Sequence, residues 1–154
     1  MKSAKELSTN QDLTILISIN KTPKEAYEAI NDVKAWWIGD IEGRADKVGS
    51  EFTYRYKDFH KSTQKVIELV PGKKVVWHVE EANLSFAKNK KEWEGTNIVF
   101  EISTKGDQTE IKFTHHGLTP EVECYEACSG GWEFYITKSL TNLLTKGKGL
   151  YPDW

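Results

Sequence analysis

Two adjacent histidines, His115 and His116, are the residues whose type best suits acid–base chemistry in this sequence. They end a predicted strand just before Gly117, so alternation along the strand turns one ring inward and the other outward. An inward His115 could donate a hydrogen bond to a ligand oxygen or transfer a proton. We favour the alternative, in which the histidine holds the loop after the strand through backbone hydrogen bonds, and keep ligand contact as a second hypothesis.

Two cysteines, Cys124 and Cys128, stand four residues apart on one face of a predicted helix. Together with the nearby histidines they could form a metal site, but zinc takes three or four ligands at recognised spacings. A C-x₃-C segment beside His-His matches none of these patterns. Helix geometry also points two such side chains poorly for a disulfide. We therefore predict two small buried hydrophobic residues and no bound metal.

Other arrangements that carry catalysis are not found in the residue spacing. No Ser-His-Asp or Cys-His set can be assembled. The segment Gly147-Lys148-Gly149 is not a phosphate loop, because it stands where glycine ends a helix. The acidic residues at Glu80-Glu81 and at Glu92 and Glu94 are expected on the solvated surface. We therefore assign no catalytic residue and expect no cofactor.

Aromatic side chains are the unusual part of the composition, with six Trp, six Tyr and six Phe. Large rings fill cores, and they also line cavities for planar or apolar ligands. The pair Trp36-Trp37 falls in a short predicted helix, where neighbouring side chains point about 100° apart. Two interpretations stay open: a core anchor beside a partly exposed ring, or one ring that guards the mouth of a cavity.

The elements that must position these residues begin with a strand at Leu13–Ile19 and a helix that starts at Thr22-Pro23-Lys24-Glu25. A second short helix is predicted at 33–37, a loop at 39–49 and a longer polar connection at 83–94. Alternating apolar residues predict five more strands, at 51–57, 63–70, 74–80, 96–103 and 109–115. An apolar stripe over 124–144 predicts a long amphipathic helix, with a bend or loose turn at Gly130-Gly131.

Together the elements predict one α+β domain over residues 12–154, after a polar lead at 1–11 that is expected to be frayed or disordered. Consecutive strands with short turns pair antiparallel, and the terminal helix is large enough to cover the apolar face of the sheet. Such a helix cannot fill a strongly curved sheet completely. A cavity between helix and sheet is therefore expected.

Charge and hydropathy exclude two classes of partner. Lys and Arg total 21 against 23 Asp and Glu, a net charge of −2 with no basic stripe, so nucleic-acid binding is not expected. No apolar run approaches the roughly 18 residues of a membrane span. The polar start lacks the apolar core of a signal peptide, which predicts a cytoplasmic protein.

The order of the elements resembles the helix-grip fold of the START-like and birch-pollen-allergen superfamily, also called SRPBCC. Short segments narrow the resemblance to the subfamily named for homology to the activator of the heat-shock-protein-90 ATPase. These segments are Pro71-Gly72-Lys73 with Val76-Trp77, Trp93-Glu94-Gly95-Thr96, Phe113-Thr114-His115-His116-Gly117-Leu118, and Gly131-Trp132 with Ser139-Leu140 and Leu143-Leu144. The resemblance covers residues 13–150 and implies a curved antiparallel sheet wrapped around a long C-terminal helix.

Three classes of function are consistent with these observations. A binding protein for a small apolar or aromatic molecule ranks first, because the expected cavity and the abundant rings support it. A protein-interaction domain of the chaperone ATPase-activator type, which the resemblance implies, ranks second. A cavity-based enzyme that uses His115 or a tyrosine ranks third. The residues expected to bind the ligand are Trp37, Tyr54, Tyr56, Trp77, Phe100, Phe113, His115, Trp132, Tyr135 and Ile136.

Overall fold

A computed structural model describes residues 12–85, 90–120 and 125–151 of the chain. Strand β1, Leu13–Ile19, leads into two short helices, α1 at Pro23–Asn31 and α2 at Val33–Trp36. Six strands follow, β2 Asp40–Gly43, β3 Glu51–Tyr56, β4 His60–Val70, β5 Lys74–Leu84, β6 Asn97–Lys105 and β7 Gln108–His116. The C-terminal helix has three consecutive parts, α3 Tyr125–Phe134, a π-helical segment Tyr135–Leu140, and α4 Thr141–Lys146.

The seven strands form one antiparallel sheet in the order β1-β7-β6-β5-β4-β3-β2. The first strand pairs with the last, with Leu13 opposite His115 and Ile19 opposite Thr109. Every other pair joins strands that are neighbours in the sequence, as short connections favour. The predicted architecture, a curved antiparallel sheet with a C-terminal helix and two short helices after the first strand, is confirmed.

The start of α1 shows how local sequence sets an element. The side chain of Thr22 accepts a hydrogen bond from the backbone N–H of Glu25 at 3.1 Å, and the Glu25 carboxylate accepts one from the Thr22 N–H at 3.0 Å. This reciprocal pair is the predicted capping box, with Pro23 at the first helical position. The segment after β1 therefore turns into a helix that covers one end of the sheet.

Two predictions about the sheet are wrong. Residues 40–43, predicted as loop, form the edge strand β2, whose mostly exposed side chains carry no apolar alternation that would reveal a strand. Strand β4 begins at His60 rather than at Thr63, and β5 continues past its predicted end to Leu84. A register shift between Thr63 and Gln64 interrupts the pairing, so a strict period of two does not follow the whole hairpin.

The predicted bend at Gly130-Gly131 is also wrong. Helix α3 runs through both glycines, and the irregular part of the C-terminal helix is the π-helical segment that follows it. In that segment the Ile136 carbonyl accepts a hydrogen bond from the hydroxyl of Thr141, five residues later, at 3.1 Å. Both glycines therefore lie inside a regular helix, and they do not serve to bend it.

The core lies between the inner face of the sheet and the helices. Trp77 of β5 is fully buried, and its ring stacks on Trp36 and Trp37 at centroid distances of 6.4 and 6.2 Å. Phe113 of β7 packs against Trp132 of α3, with centroids 4.7 Å apart. The C-terminal helix and the segment around α2 thus divide the apolar face of the sheet between them.

A buried serine joins these two covering elements. The Ser139 hydroxyl donates to the carbonyl of Trp36 at 2.7 Å and accepts from the backbone N–H of Leu150 at 3.0 Å. The contact with Trp36 is buried and fixes the π-helical segment on α2, while the contact with Leu150 holds the segment after α4. This link holds Trp36, and with it Trp37, in place above the sheet.

Candidate functional site

A cavity of about 480 Å³ opens between strands β3 and β4, the segment before β6, and helix α3. Its walls are mainly aromatic, and the exposed residues Phe59, Glu126 and Ala127 mark its mouth. The lining residues are Trp37, Tyr54, Tyr56, Phe59, His60, Trp93, Glu126, Ala127, Cys128, Gly130, Gly131, Trp132 and Tyr135.

The two glycines are part of the helical wall of this cavity. A Cβ atom placed on Gly130 or Gly131 meets no other atom within 4 Å, so the backbone of α3 borders open space there. Both glycines line the cavity, and neither position carries a side chain that would occupy that space. The glycine pair therefore enlarges the cavity at a cost in intrinsic helix stability.

Ring stacking fixes the aromatic walls. Trp37 lies flat against Tyr54, with centroids 4.2 Å apart and planes 13° apart, and Trp93 lies nearly parallel to Trp132 at 5.7 Å. Trp37 and Trp132 are themselves in contact at 4.9 Å. Side chains from α2, β3, the segment before β6 and α3 thus form one continuous aromatic surface.

Two tyrosine hydroxyls meet at one side of the cavity. Tyr54 and Tyr135 lie 2.9 Å apart at their hydroxyl oxygens, and each hydroxyl is within hydrogen-bond distance of the Ile38 carbonyl, at 3.1 and 3.2 Å. Burial raises the pKa of Tyr135 to about 12 and raises the pKa of Tyr54 further. Both side chains are therefore neutral phenols near neutral pH.

His60 is a polar residue of the cavity wall that the sequence analysis did not select. Its ring lies edge-on to Trp93 at 4.6 Å and to Tyr54 at 5.2 Å, and its Nε2 lies 2.9 Å from the hydroxyl of buried Ser62. Burial among these rings lowers the pKa of His60 to about 3, so the imidazole is neutral.

His115 is fully buried beside the cavity and serves a structural role. The indole N–H of Trp132 donates to Nδ1 of His115 at 3.0 Å, so Nδ1 is the acceptor and Nε2 carries the hydrogen. Nε2 then donates to the hydroxyl of Thr96 at 2.8 Å, and that hydroxyl donates to the Trp93 carbonyl at 2.6 Å. Burial lowers the pKa of His115 to about 3. The favoured interpretation expected backbone hydrogen bonds to the loop after the strand, whereas the ring bonds the side chains of Thr96 and Trp132.

The structure brings half of the predicted ligand-binding residues to the cavity wall. Those five are Trp37, Tyr54, Tyr56, Trp132 and Tyr135. The other five are buried behind the wall or beside it: Trp77, Phe100, Phe113, His115 and Ile136. Of the two interpretations of Trp36-Trp37, neither fits fully, because both rings are buried and Trp37 lines the cavity from inside.

The wall residues that sequence reasoning missed include His60 and Trp93. Trp93 stands in the stretch predicted as a polar connection, and His60 precedes the predicted start of its strand. A single Trp among charged residues is a signal that could have identified Trp93, because a large ring in a polar segment usually packs on another surface.

Cys128 lies on the cavity side of α3 and is 7% exposed. The prediction for its neighbour Cys124 falls outside the described residues, so the pair stays a prediction. Within the described ranges, no group of three or more His, Cys, Asp or Glu side chains could hold a metal ion. In the same ranges, no helix is both long enough and apolar enough to cross a membrane.

Comparison with known proteins relates this chain to a family. A family model described as "Activator of Hsp90 ATPase homolog 1-like protein" matches residues 21–145. The chain is 31% identical to the protein in the solution structure of the Aha1 dimer from Colwellia psychrerythraea, with a TM-score of 0.73. The match covers 90% of this chain and 99% of that one. No curated protein sequence matches the chain.

More distant structures share the fold alone. DynU16, from the dynemicin biosynthetic locus, is 15% identical over 93% of this chain and 50% of its own, with a TM-score of 0.67. CV1439 from Chromobacterium violaceum is 14% identical over 86% of this chain and 96% of its own, with a TM-score of 0.62. On the extent of the family-model match and the similarity to Aha1, the chain belongs to the family of Activator of Hsp90 ATPase homolog 1-like proteins.

Proposed function

We propose that this protein binds a small apolar or aromatic molecule in the cavity beside α3. The observation that carries the proposal is a space of about 480 Å³ with aromatic walls and two glycines in its helical wall. Pockets for small molecules typically measure about 300–1,000 Å³ and combine apolar walls with a few polar groups. The cavity volume falls in that range, and His60 with the tyrosine pair supplies the polar groups.

The ligand's contacts in this proposal come from the residues that reach the wall. They are the predicted Trp37, Tyr54, Tyr56, Trp132 and Tyr135, joined by Phe59, His60 and Trp93. Trp77, Phe100, Phe113, His115 and Ile136 support these rings from the core. A role as an enzyme is less well supported, because both ring nitrogens of His115 are engaged by Thr96 and Trp132.

A cavity-filling variant tests this function. Gly131→Leu places a larger side chain in the open space, and leucine is a good helix former, so the variant should stay folded. Intrinsic tryptophan fluorescence is recorded while uncharged polycyclic compounds are added. The natural protein should show saturable binding. Gly131→Leu should bind at least about tenfold more weakly, because the new side chain excludes the ligand.

The matched control is Glu133→Leu, which adds the same side chain to the exposed side of the same helix. It should bind as the natural protein does. The proposal fails if no compound in the panel gives a saturable change, or if Gly131→Leu binds as tightly as the control.

A second candidate is contact with a protein partner, and the 31% identity with Aha1 favours it. The family name points to the Hsp90 ATPase as that partner, and the solved relative is a dimer, so a second copy of this chain is the other partner to test. Stimulation of an Hsp90 ATPase, together with the mass in solution by light scattering, would support this candidate. Unchanged ATPase activity and a monomeric mass would remove it. A cytoplasmic location stays a prediction.

A further inference from the structure

The polar groups around the cavity differ in how far their hydrogen-bonding capacity is already used. The hydroxyls of Tyr54 and Tyr135 have two hydrogens between them, and the Ile38 carbonyl and the contact between the two oxygens use both, so this pair has no further hydrogen to donate. His115 has both ring nitrogens occupied. The indole nitrogen of Trp93 is covered by surrounding atoms and so does not face the space.

His60 is different, because one of its two ring nitrogens is engaged and the other is not. Nε2 meets the hydroxyl of Ser62, whereas Nδ1 makes no hydrogen bond within the described ranges. The side chain lines the cavity and is only partly buried. Nδ1 is also absent from the fully covered polar atoms that lack a partner, which indicates that part of its surface is accessible. A bound molecule can therefore reach this nitrogen.

Whether Nδ1 carries a hydrogen depends on the direction of the hydrogen bond between Nε2 and Ser62. If Ser62 donates to Nε2, then Nδ1 carries a hydrogen and needs an acceptor. If Nε2 donates to Ser62, then Nδ1 is an acceptor and needs a donor. A hydroxyl group on the ligand satisfies either case, because it can both donate and accept.

The charges around the cavity limit the ligand further. The lining residues in the described ranges include no Lys or Arg, and Glu126 brings a carboxylate to the mouth. An anionic ligand would therefore lose hydration without gaining a counter-charge, and the rings offer flat apolar faces instead.

We infer that the cavity takes an uncharged, planar aromatic molecule that carries a hydroxyl group, and that this hydroxyl binds His60. The inference rests on the proposed function and adds the chemical class of the ligand and the residue that recognises it.

Three probes of one ring system test the inference: 2-naphthol, naphthalene and 2-naphthoic acid, titrated against the natural protein and His60→Phe at neutral pH. The natural protein should bind 2-naphthol about threefold to tenfold more tightly than naphthalene, the range expected of one net hydrogen bond. It should bind the ionised acid more weakly than either. In His60→Phe the preference for 2-naphthol over naphthalene should disappear, because phenylalanine keeps the ring and removes Nδ1.

The outcomes separate the two levels of the proposal. If naphthalene and 2-naphthol bind the natural protein equally, or if the preference survives in His60→Phe, the role of His60 is overturned while the binding function stands. If none of the three binds and the wider panel also fails, the function itself is wrong.

Should His60→Phe fold poorly because Ser62 loses its partner, the double variant His60→Phe/Ser62→Ala removes both groups. The ¹⁵N shift of His60 Nδ1 in the natural protein gives an independent readout, which 2-naphthol should move and naphthalene should not.

Discussion

The amide of Gln64 is fully buried on the inner face of β4, and neither its oxygen nor its nitrogen has a partner in the described residues. A buried polar group without a hydrogen bond typically costs about 1–3 kcal/mol. Gln64→Met keeps a similar length and removes both polar atoms. We expect the free energy of unfolding, measured in urea, to rise by about 1–2 kcal/mol.

The companion variant Gln64→Glu has a similar shape with a charge and should lower the free energy of unfolding. A loss of stability in Gln64→Met would contradict the expectation and show that the amide is satisfied, for instance by a buried water.

Two histidines, the partly buried His60 and the fully buried His115, make stability depend on pH. Burial lowers the folded-state pKa of both His60 and His115 to about 3, from the ordinary value of 6.5, with smaller effects on His115 from Asp12 and His116. The unfolded chain therefore binds more protons below pH 6.5, so the stabilisation present above that pH is lost as the pH falls. Each histidine should account for about 1–2 kcal/mol between pH 7 and pH 5.

Urea denaturation at the two pH values measures this loss. His60→Phe should show a smaller loss than the natural protein, because one of the two groups is gone. Val66→Ala, a core truncation that removes no titratable group, should keep the full loss. An equal loss in His60→Phe and Val66→Ala would show that His60 does not contribute.

Among the elements, helix α3 has two glycines that lower its intrinsic helix stability and leave the cavity beside it open. Gly130 and Gly131 lie in a regular helix, and a Cβ atom would meet nothing within 4 Å. Gly130→Ala and Gly131→Ala should each raise the free energy of unfolding by about 0.5–1 kcal/mol, the usual difference in helix propensity.

Gly147 provides the contrasting control. It ends α4 in the left-handed conformation with φ of 82°, so Gly147→Ala should lower stability by about 1 kcal/mol. Thermal unfolding of the three variants compares them directly. If Gly130→Ala and Gly131→Ala also destabilise, the helix is strained at these positions and the glycines are not there for the cavity.

Most elements could be predicted because each carries an apolar face. The alternation in β3, β6 and β7 and the capping box of α1 are local patterns, and the structure has them where they were predicted. Strand β2 could not be found, since a polar edge strand is held by its pairing with β3 and not by its own side chains. The π-helical segment has no comparable sequence signal either, because a widened turn depends on packing against other elements.

For the molecule as a whole, the site could be predicted only in part. Periodicity indicated correctly that Trp77 and Phe100 face inward, yet it could not tell that Trp36 and Trp37 would cover Trp77. Whether an inward ring reaches a cavity depends on what another element places on top of it. Trp37, just after α2, and Trp132 of α3 are in contact although they are far apart in the sequence, and such contacts leave no short-range pattern.

The central claim is that an aromatic ligand occupies the space between Trp37, Trp93 and Trp132. Two-dimensional ¹⁵N NMR of the indole N–H groups, recorded while 2-naphthol is added, tests it most directly because each tryptophan reports separately. We predict the largest saturable shifts at these three rings and smaller ones at Trp36 and Trp77, which lie in the core. Shifts absent from all five rings, or as large at Trp36 and Trp77 as at the cavity wall, would contradict binding in this cavity.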